Sequence, residues 1–167
     1  MERVETVVTF AVADSLFAVE VGIVQEILSP QKPSRLPKAP PHFLGLIDVR
    51  GTSVALVDLR CLLGEDPRPD DEDTRIMLLC FDAQGERHHI ALRVDRVIEV
   101  AQLDDNGHVS PLGEAKMLDW DPRMLLGIGR RDGMIIALLD IRAIFDPTLM
   151  SATRALNATA GPAQCPN

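Results

Sequence analysis

Apolar residues in this chain are gathered into short runs: Thr6 to Val12, Leu16 to Val21, Leu44 to Val49, Ser53 to Leu56, Ile76 to Phe81, His88 to Val94, Leu125 to Arg130 and Met134 to Leu139. Each is too short for a buried helix, is rich in Val and Ile, and is bounded by Gly, Pro, Asn or Asp, which predicts strands. Many short strands separated by turn residues predict an all-β protein whose antiparallel sheet closes into small barrels. Asp58-Leu59-Arg60-Cys61-Leu62-Leu63 and Asp140-Ile141-Arg142-Ala143-Ile144-Phe145 follow two of the runs. In each, an Asp precedes an apolar turn, the arrangement of an N-cap that accepts from unpaired amides, so a short helical turn is predicted after it.

The runs repeat. Phe43 to Leu63 aligns without a gap with Leu125 to Phe145: Leu44, Gly45, Gly51, Ala55, Leu56, Asp58 and Arg60 recur as Leu126, Gly127, Gly133, Ala137, Leu138, Asp140 and Arg142. Upstream, Phe17 to Ile27 aligns with Ile90 to Val100, and Ala18, Val21, Val24 and Glu26 recur as Ala91, Val94, Val97 and Glu99. The second half carries a longer connection, roughly Ala101 to Arg123, holding the single tryptophan, Trp120. Acidic, proline-punctuated sequence from Gly64 to Asp73 predicts an extended, solvated linker. The expected organisation is one domain over residues 1–147, with approximate halves 1–64 and 75–147 joined by the linker 65–74, and with strands free to exchange between halves. Residues 148–167 are expected to form a partly helical or disordered tail.

One turn departs from its expected chemistry. Arg50-Gly51 joins two predicted strands where Asn or Asp before Gly is favoured, because the first turn position often needs a positive φ. The repeat has Asp132-Gly133 at its own hairpin, so the turn does not require arginine. An internal ion pair, with Asp48 or Asp58 for example, and a partner contact are the two explanations left open.

At 167 residues with 46% hydrophobic content the chain is long enough for a real core. A formal net charge of −8 argues against nucleic acid or anionic membrane as partner, since both need concentrated Lys and Arg. No apolar stretch has the length of a membrane span or the form of a signal peptide, so a cytoplasmic location is expected, with no direct membrane insertion. Cys61, Cys80 and Cys165 form no close pair and are expected to be reduced thiols. Gly127-Ile128-Gly129-Arg130-Arg131-Asp132-Gly133 runs into a predicted strand, whereas a phosphate-binding loop runs into a helix. The neighbours His88 and His89 point to opposite faces of a strand and do not make a metal site. No nucleophile elbow is present, and no catalytic residue, metal site or cofactor is expected. A cluster joining His88 or His89 to Asp95 and Cys80 is what would support a small β-barrel enzyme or ligand-binding protein instead.

In order along the chain, Val24-Gln25-Glu26-Ile27, then Gly45 to Gly51 with Val57-Asp58-Leu59-Arg60, then Leu126-Gly127 leading to Leu139-Asp140-Ile141-Arg142, resemble the CheW-type adaptors of bacterial chemotaxis-like signalling. The resemblance covers about Glu5 to Asp146. It implies two packed, SH3-like, five-stranded β-barrels and a noncatalytic adaptor that couples the cytoplasmic tips of methyl-accepting chemoreceptors to the regulatory domain of a CheA-type histidine kinase. It also implies recruitment to membrane receptor arrays, and it carries Val24, Glu26, Gly45, Asp48, Arg50 and Gly51 over to the receptor-binding surface, while leaving the kinase-contact residues unidentified. Gly45 recurs as Gly127, so close packing or a bulge explains it equally well. Asp48 and Ala55 stand where the family often has Asn and Pro, a departure that bears on receptor preference, and the alternative is a variant scaffold that binds kinase or other partners without receptor coupling. The similarity of the two barrels leaves room for weak head-to-tail self-association.

Overall fold

The computed structural model describes residues 6–107, 109 and 124–145; Trp120 and the tail 148–167 lie outside them. Ten strands occur among the described residues: β1 (Thr6–Val12), β2 (Ser15–Glu20), β3 (Val24–Leu28), β4 (Phe43–Val49), β5 (Thr52–Asp58), β6 (Arg75–Ala83), β7 (Glu86–Val94), β8 (Arg96–Gln102), β9 (Leu125–Arg131) and β10 (Met134–Leu139). Helical turns α1 (Leu59–Leu62), α2 (Asp104–Gly107) and α3 (Ile141–Ile144) follow β5, β8 and β10. All eight predicted strands are present. The two that the apolar runs did not announce, β3 and β8, are sheet edges whose exposed faces carry Gln25, Glu26, Arg96 and Glu99, polar residues that blunt an edge.

The strands form two sheets, in the orders β8-β1-β2-β10-β9 and β3-β6-β7-β5-β4. Under the sequence repeat β1 to β5 correspond to β6 to β10, and the two orders are then identical. Each repeat places its first two strands in one sheet and its last three in the other. The ladders agree in register: β5 runs parallel to β7 with Ala55 opposite Ile90 and Leu56 opposite Ala91, and β10 runs parallel to β2 with Ala137 opposite Phe17 and Leu138 opposite Ala18. Because the linker joins β5 to β6, it lies within the second sheet's run of sequence and does not divide the two sheets.

This interleaving explains why the apolar runs are continuous where half-buried strands would alternate. On β6, Ile76 and Leu78 point into the core of their own sheet with Ile47, Val49, Val54, Leu56 and Ala91. Met77 and Leu79, on the opposite face, join Val8, Phe10 and Phe17 of the first sheet in a core shared by both. On β1, Val7 points into the first sheet's own cluster with Ala18, Ile136 and Leu138 while Val8 enters the shared core. Successive residues of a strand face opposite ways, so a strand with core on both sides is apolar throughout. At about 25 cal/mol per Å² of apolar surface buried, the shared core is the main term opposing separation of the sheets.

Each sheet curls so that its edges meet, which agrees with an SH3-like barrel. After β3 the chain returns along β4, where the Ser34 amide donates to the Leu46 carbonyl and the Leu46 amide to the Ser34 carbonyl, both at 2.8 Å. Glu26 of β3 is paired with Arg50 of the β4–β5 turn at 2.6 Å. In the other sheet Glu99 of β8, the counterpart of Glu26, is paired with Arg131 at the end of β9 at 3.2 Å.

Candidate interaction surface

The turn between β4 and β5 has positive φ at both central residues, 49° at Arg50 and 84° at Gly51, and Asp132 and Gly133 repeat it at 52° and 79°. These values belong to the primed hairpin turn, which matches the twist of its strands. A left-handed non-glycine residue costs roughly 1–2 kcal/mol, less for Asp and Asn, whose short side chains bond locally. Arginine receives no such relief. Asp48 supplies the local bond, its Oδ1 accepting from the Gly51 amide at 2.8 Å.

The partner of Arg50 is therefore Glu26, and neither Asp48 nor Asp58. The pair is open to water, the side chains 65% and 35% exposed, so solvent screens it and by itself it adds little to stability. The hydrogen bond from Arg50 and its charge hold the Glu26 carboxyl below its ordinary value, and Glu26 holds Arg50 above its own. Arg50, Glu26, Asp48 and Gly51 thus occupy one exposed surface where the edges of the barrel meet. Val24 is half-buried against the shared core, opposite Leu79. Gly45 lies further along β4, at a bulge, with φ of 139°; a Cβ there would stand 2.3 Å from the Ser34 carbonyl oxygen. Its first role is to let Ser34 close the barrel.

Asp58 and Asp140 cap their helical turns as expected, accepting from the amides of Arg60 at 3.0 Å and Ala143 at 3.2 Å. Asp58 also belongs to a buried charge cluster that the sequence reading did not assemble. Arg93 Nη1 lies 3.5 Å from Asp58 Oδ2, its Nε donates to Asp70 at 2.8 Å, and its Nη2 donates to the Arg68 carbonyl at 2.7 Å. Arg60 binds Asp95, whose Oδ2 also accepts from the Ala13 amide at 2.8 Å. Asp58, Arg93 and Asp95 are all buried, and burial pushes the Asp58 carboxyl above its ordinary value against the pull of Arg93. The signal in the sequence was Arg93 and Asp95 set inside the apolar stretch Ala91 to Val97, since buried charges persist only when paired.

These contacts fasten the acidic linker to the barrel. Within it Arg68 and Asp71 pair at 2.6 Å, and Asp71 also accepts from the amides of Asp73 and Thr74 at 2.8 and 3.1 Å, which lowers its carboxyl to about 2. Asp71 is expected to titrate near pH 2 by carbon NMR. Its folded value lies below the unfolded 3.8, so the stability it contributes is complete above that value and is lost as the pH falls towards 2. Arg68→Ala should raise the midpoint towards the ordinary aspartate value.

The cluster that would have supported an enzyme does not form. Asp95 is held by Arg60 and Ala13, whereas His88 Nε2 lies 3.2 Å from the Ala83 carbonyl and His89 stands opposite Cys80 in the β6–β7 ladder. Among the described residues no group of three His, Cys, Asp or Glu side chains is placed to hold a metal. Cys80 is a free thiol, and Cys165 lies outside the described residues. No helix among the described residues is long and apolar enough to cross a membrane.

Two interleaved β-barrels, with their polar residues spent on caps, linker anchors and an exposed ion pair, define a scaffold whose chemistry lies in its surfaces. The CheW-like domain matches residues 6–148, and the chain belongs to that family. It is 28% identical over 141 residues to the probable chemotaxis protein CheW of Rhizobium etli, covering 84% of this chain and 87% of that one. It is 25% identical over 143 residues to the chemotaxis protein CheW of Helicobacter pylori, covering 86% and 82%. The crystal structure of the scaffolding protein TtCheW from Thermoanaerobacter tengcongensis superposes with a TM-score of 0.73 at 24% identity, over 87% of this chain and 94% of that one, which shows the shared fold. The protein is a noncatalytic chemotaxis scaffold of the CheW family.

Proposed function

We propose that this scaffold couples the cytoplasmic tips of chemoreceptors to the regulatory domain of a CheA-type histidine kinase in the cytoplasm, at membrane receptor arrays, and that the surface around Glu26 and Arg50 meets the receptor. The observation that carries the reading is Arg50 itself: a long cation held at a positive φ that its counterpart Asp132 occupies at less strain. Strain of this kind collects at functional positions. Arginine is also enriched at binding hot spots. A receptor helix would set apolar residues against the barrel, with Arg50 and Glu26 fixing register at the rim. Asp48 and Gly51 hold the turn, Val24 continues the surface inward, and Gly45 acts through the barrel it allows to close.

Arg50→Ala is expected to reduce co-sedimentation with receptor-containing membranes at least tenfold and to leave binding of the kinase regulatory domain unchanged. The thermal midpoint should change little in the same variant, because the pair is exposed and screened. Equal loss of both partners would remove Arg50 from the receptor surface; kinase binding without receptor binding in the unaltered protein would favour the variant scaffold.

A further inference from the structure

The two barrels contain corresponding cavities, filled differently. One, of about 480 Å³, is lined by Leu44, Asp58 and Arg93 among others; the second, of about 390 Å³, is lined by Glu20, Ile23, Leu126, Leu139, Asp140 and Arg142. Leu126 and Asp140 are the repeats of Leu44 and Asp58. In the first barrel the parallel ladder of β5 and β7 ends with Asp58 opposite Arg93, and that guanidinium lies buried on the carboxylate at 3.5 Å. In the second, the ladder of β10 and β2 pairs Ala137 with Phe17 and Leu138 with Ala18. Two residues further along both strands stand Asp140 and Glu20. Glu20 therefore occupies the place of Arg93, and where one cavity holds a carboxylate with its cation, the other holds two carboxylates.

Among the described residues neither carboxylate is paired with a cation. Asp140 spends one oxygen on the Ala143 amide, and Glu20 makes no ion pair or side-chain hydrogen bond among the described residues. The cation that lines the cavity, Arg142, is turned to β6, where its Nε donates to the Asp82 carbonyl at 3.2 Å and its charge helps lower the Asp82 carboxyl. Beside the carboxylates, Ile23, Leu126 and Leu139 supply apolar wall on which the aliphatic stem of a guanidinium can lie.

We infer that this second cavity is a docking site for an arginine presented by a protein partner between apolar neighbours, the arginine taking against Asp140 and Glu20 the position that Arg93 takes against Asp58. The internal copy fixes the occupant's chemistry: a planar cation that pairs with the capping aspartate, entering from outside because the strand that supplies it in one barrel carries a glutamate in the other. This surface is distinct from the Glu26–Arg50 rim and stands whether or not that rim meets a receptor.

The test is a titration of the full-length protein with the tripeptide acetyl-Leu-Arg-Leu-amide, followed at the amides of Ile141 and Ala143 by nitrogen–proton NMR. Saturable shifts are expected there, at least tenfold weaker with citrulline in place of arginine, and lost in Glu20→Arg, which supplies the cation internally. Glu20→Gln, which removes charge with little change of shape, should weaken binding several-fold and guards against misfolding of the first variant. Equal response to the citrulline peptide, or unchanged binding in both variants, would overturn the inference. Shifts that appear only after Arg154→Ala would assign the cavity to an arginine of this chain and overturn it equally.

Discussion

Arg93→Ala is expected to destabilise the protein by about 3–5 kcal/mol, the range found when one partner of a buried ion pair is removed. That is a large part of the roughly 5–15 kcal/mol that separates folded from unfolded states of such domains. Arg93 is 7% exposed and Asp58 only 3%, so truncation leaves a buried carboxylate without its cation. It also frees Asp70 and the Arg68 carbonyl, and with them the linker's hold on the barrel. Urea unfolding followed by circular dichroism should show a lower midpoint with an unchanged slope. The paired replacement Asp58→Asn with Arg93→Met should recover most of the loss, because asparagine still caps α1 and no uncompensated charge remains. A loss under about 1 kcal/mol for Arg93→Ala would mean that the pair is effectively solvated, in the range of exposed ion pairs.

The same cluster shows what was legible in the sequence and what was not. Strands buried on both faces announce themselves as apolar runs: β1 and β10 could be read to the residue, and β6 in its middle, its ends at Arg75 and at Asp82-Ala83 being polar or exposed. Edge strands do not: β3 holds Gln25 and Glu26, and β8 holds Arg96 and Glu99, because one side of each faces water. The repeat foretold two similar units, yet which unit each strand would enter depends on tertiary packing, since β1 and β6 are equally apolar and either could join either sheet by pattern alone. Caps at Asp58 and Asp140 are local, made within three residues of the capping side chain, and were legible for that reason. The pairing of Arg93 with Asp58, or of Arg60 with Asp95, joins residues 35 apart in sequence through the fold, and only the oddity of charges in an apolar stretch hinted at it. Arg50 was recognisable as the wrong residue for its turn, but its partner Glu26 comes into reach only when β3 and the β4–β5 hairpin close the barrel.

Gly45→Ala is expected to lower stability by roughly 3–4 kcal/mol, combining the cost of forcing an extra carbon into packed structure with that of a side chain at positive φ. The added carbon would lie 2.3 Å from the Ser34 carbonyl oxygen and 2.8 Å from its carbon, both backbone atoms that no rotamer change can move. Relief requires the Ser34–Leu46 pairing to open, and with it the seam of the barrel. Gly51→Ala makes a control on the same hairpin, since nothing lies within 4 Å of a Cβ there and the φ of 84° alone should cost about 1–2 kcal/mol. Thermal melting together with amide exchange at Ser34 and Leu46 separates the two variants: fast exchange at both amides is expected for Gly45→Ala, and protection close to that of the unaltered protein for Gly51→Ala. Receptor binding then distinguishes two ways of losing the same function. Arg50→Ala should lose the receptor while keeping its melting temperature; Gly45→Ala should lose both together, because its effect on the surface passes through the barrel. A Gly45→Ala protein that melts normally, protects Ser34 and Leu46, and still fails to bind receptor would make Gly45 a contact in its own right, and the close approach to Ser34 incidental.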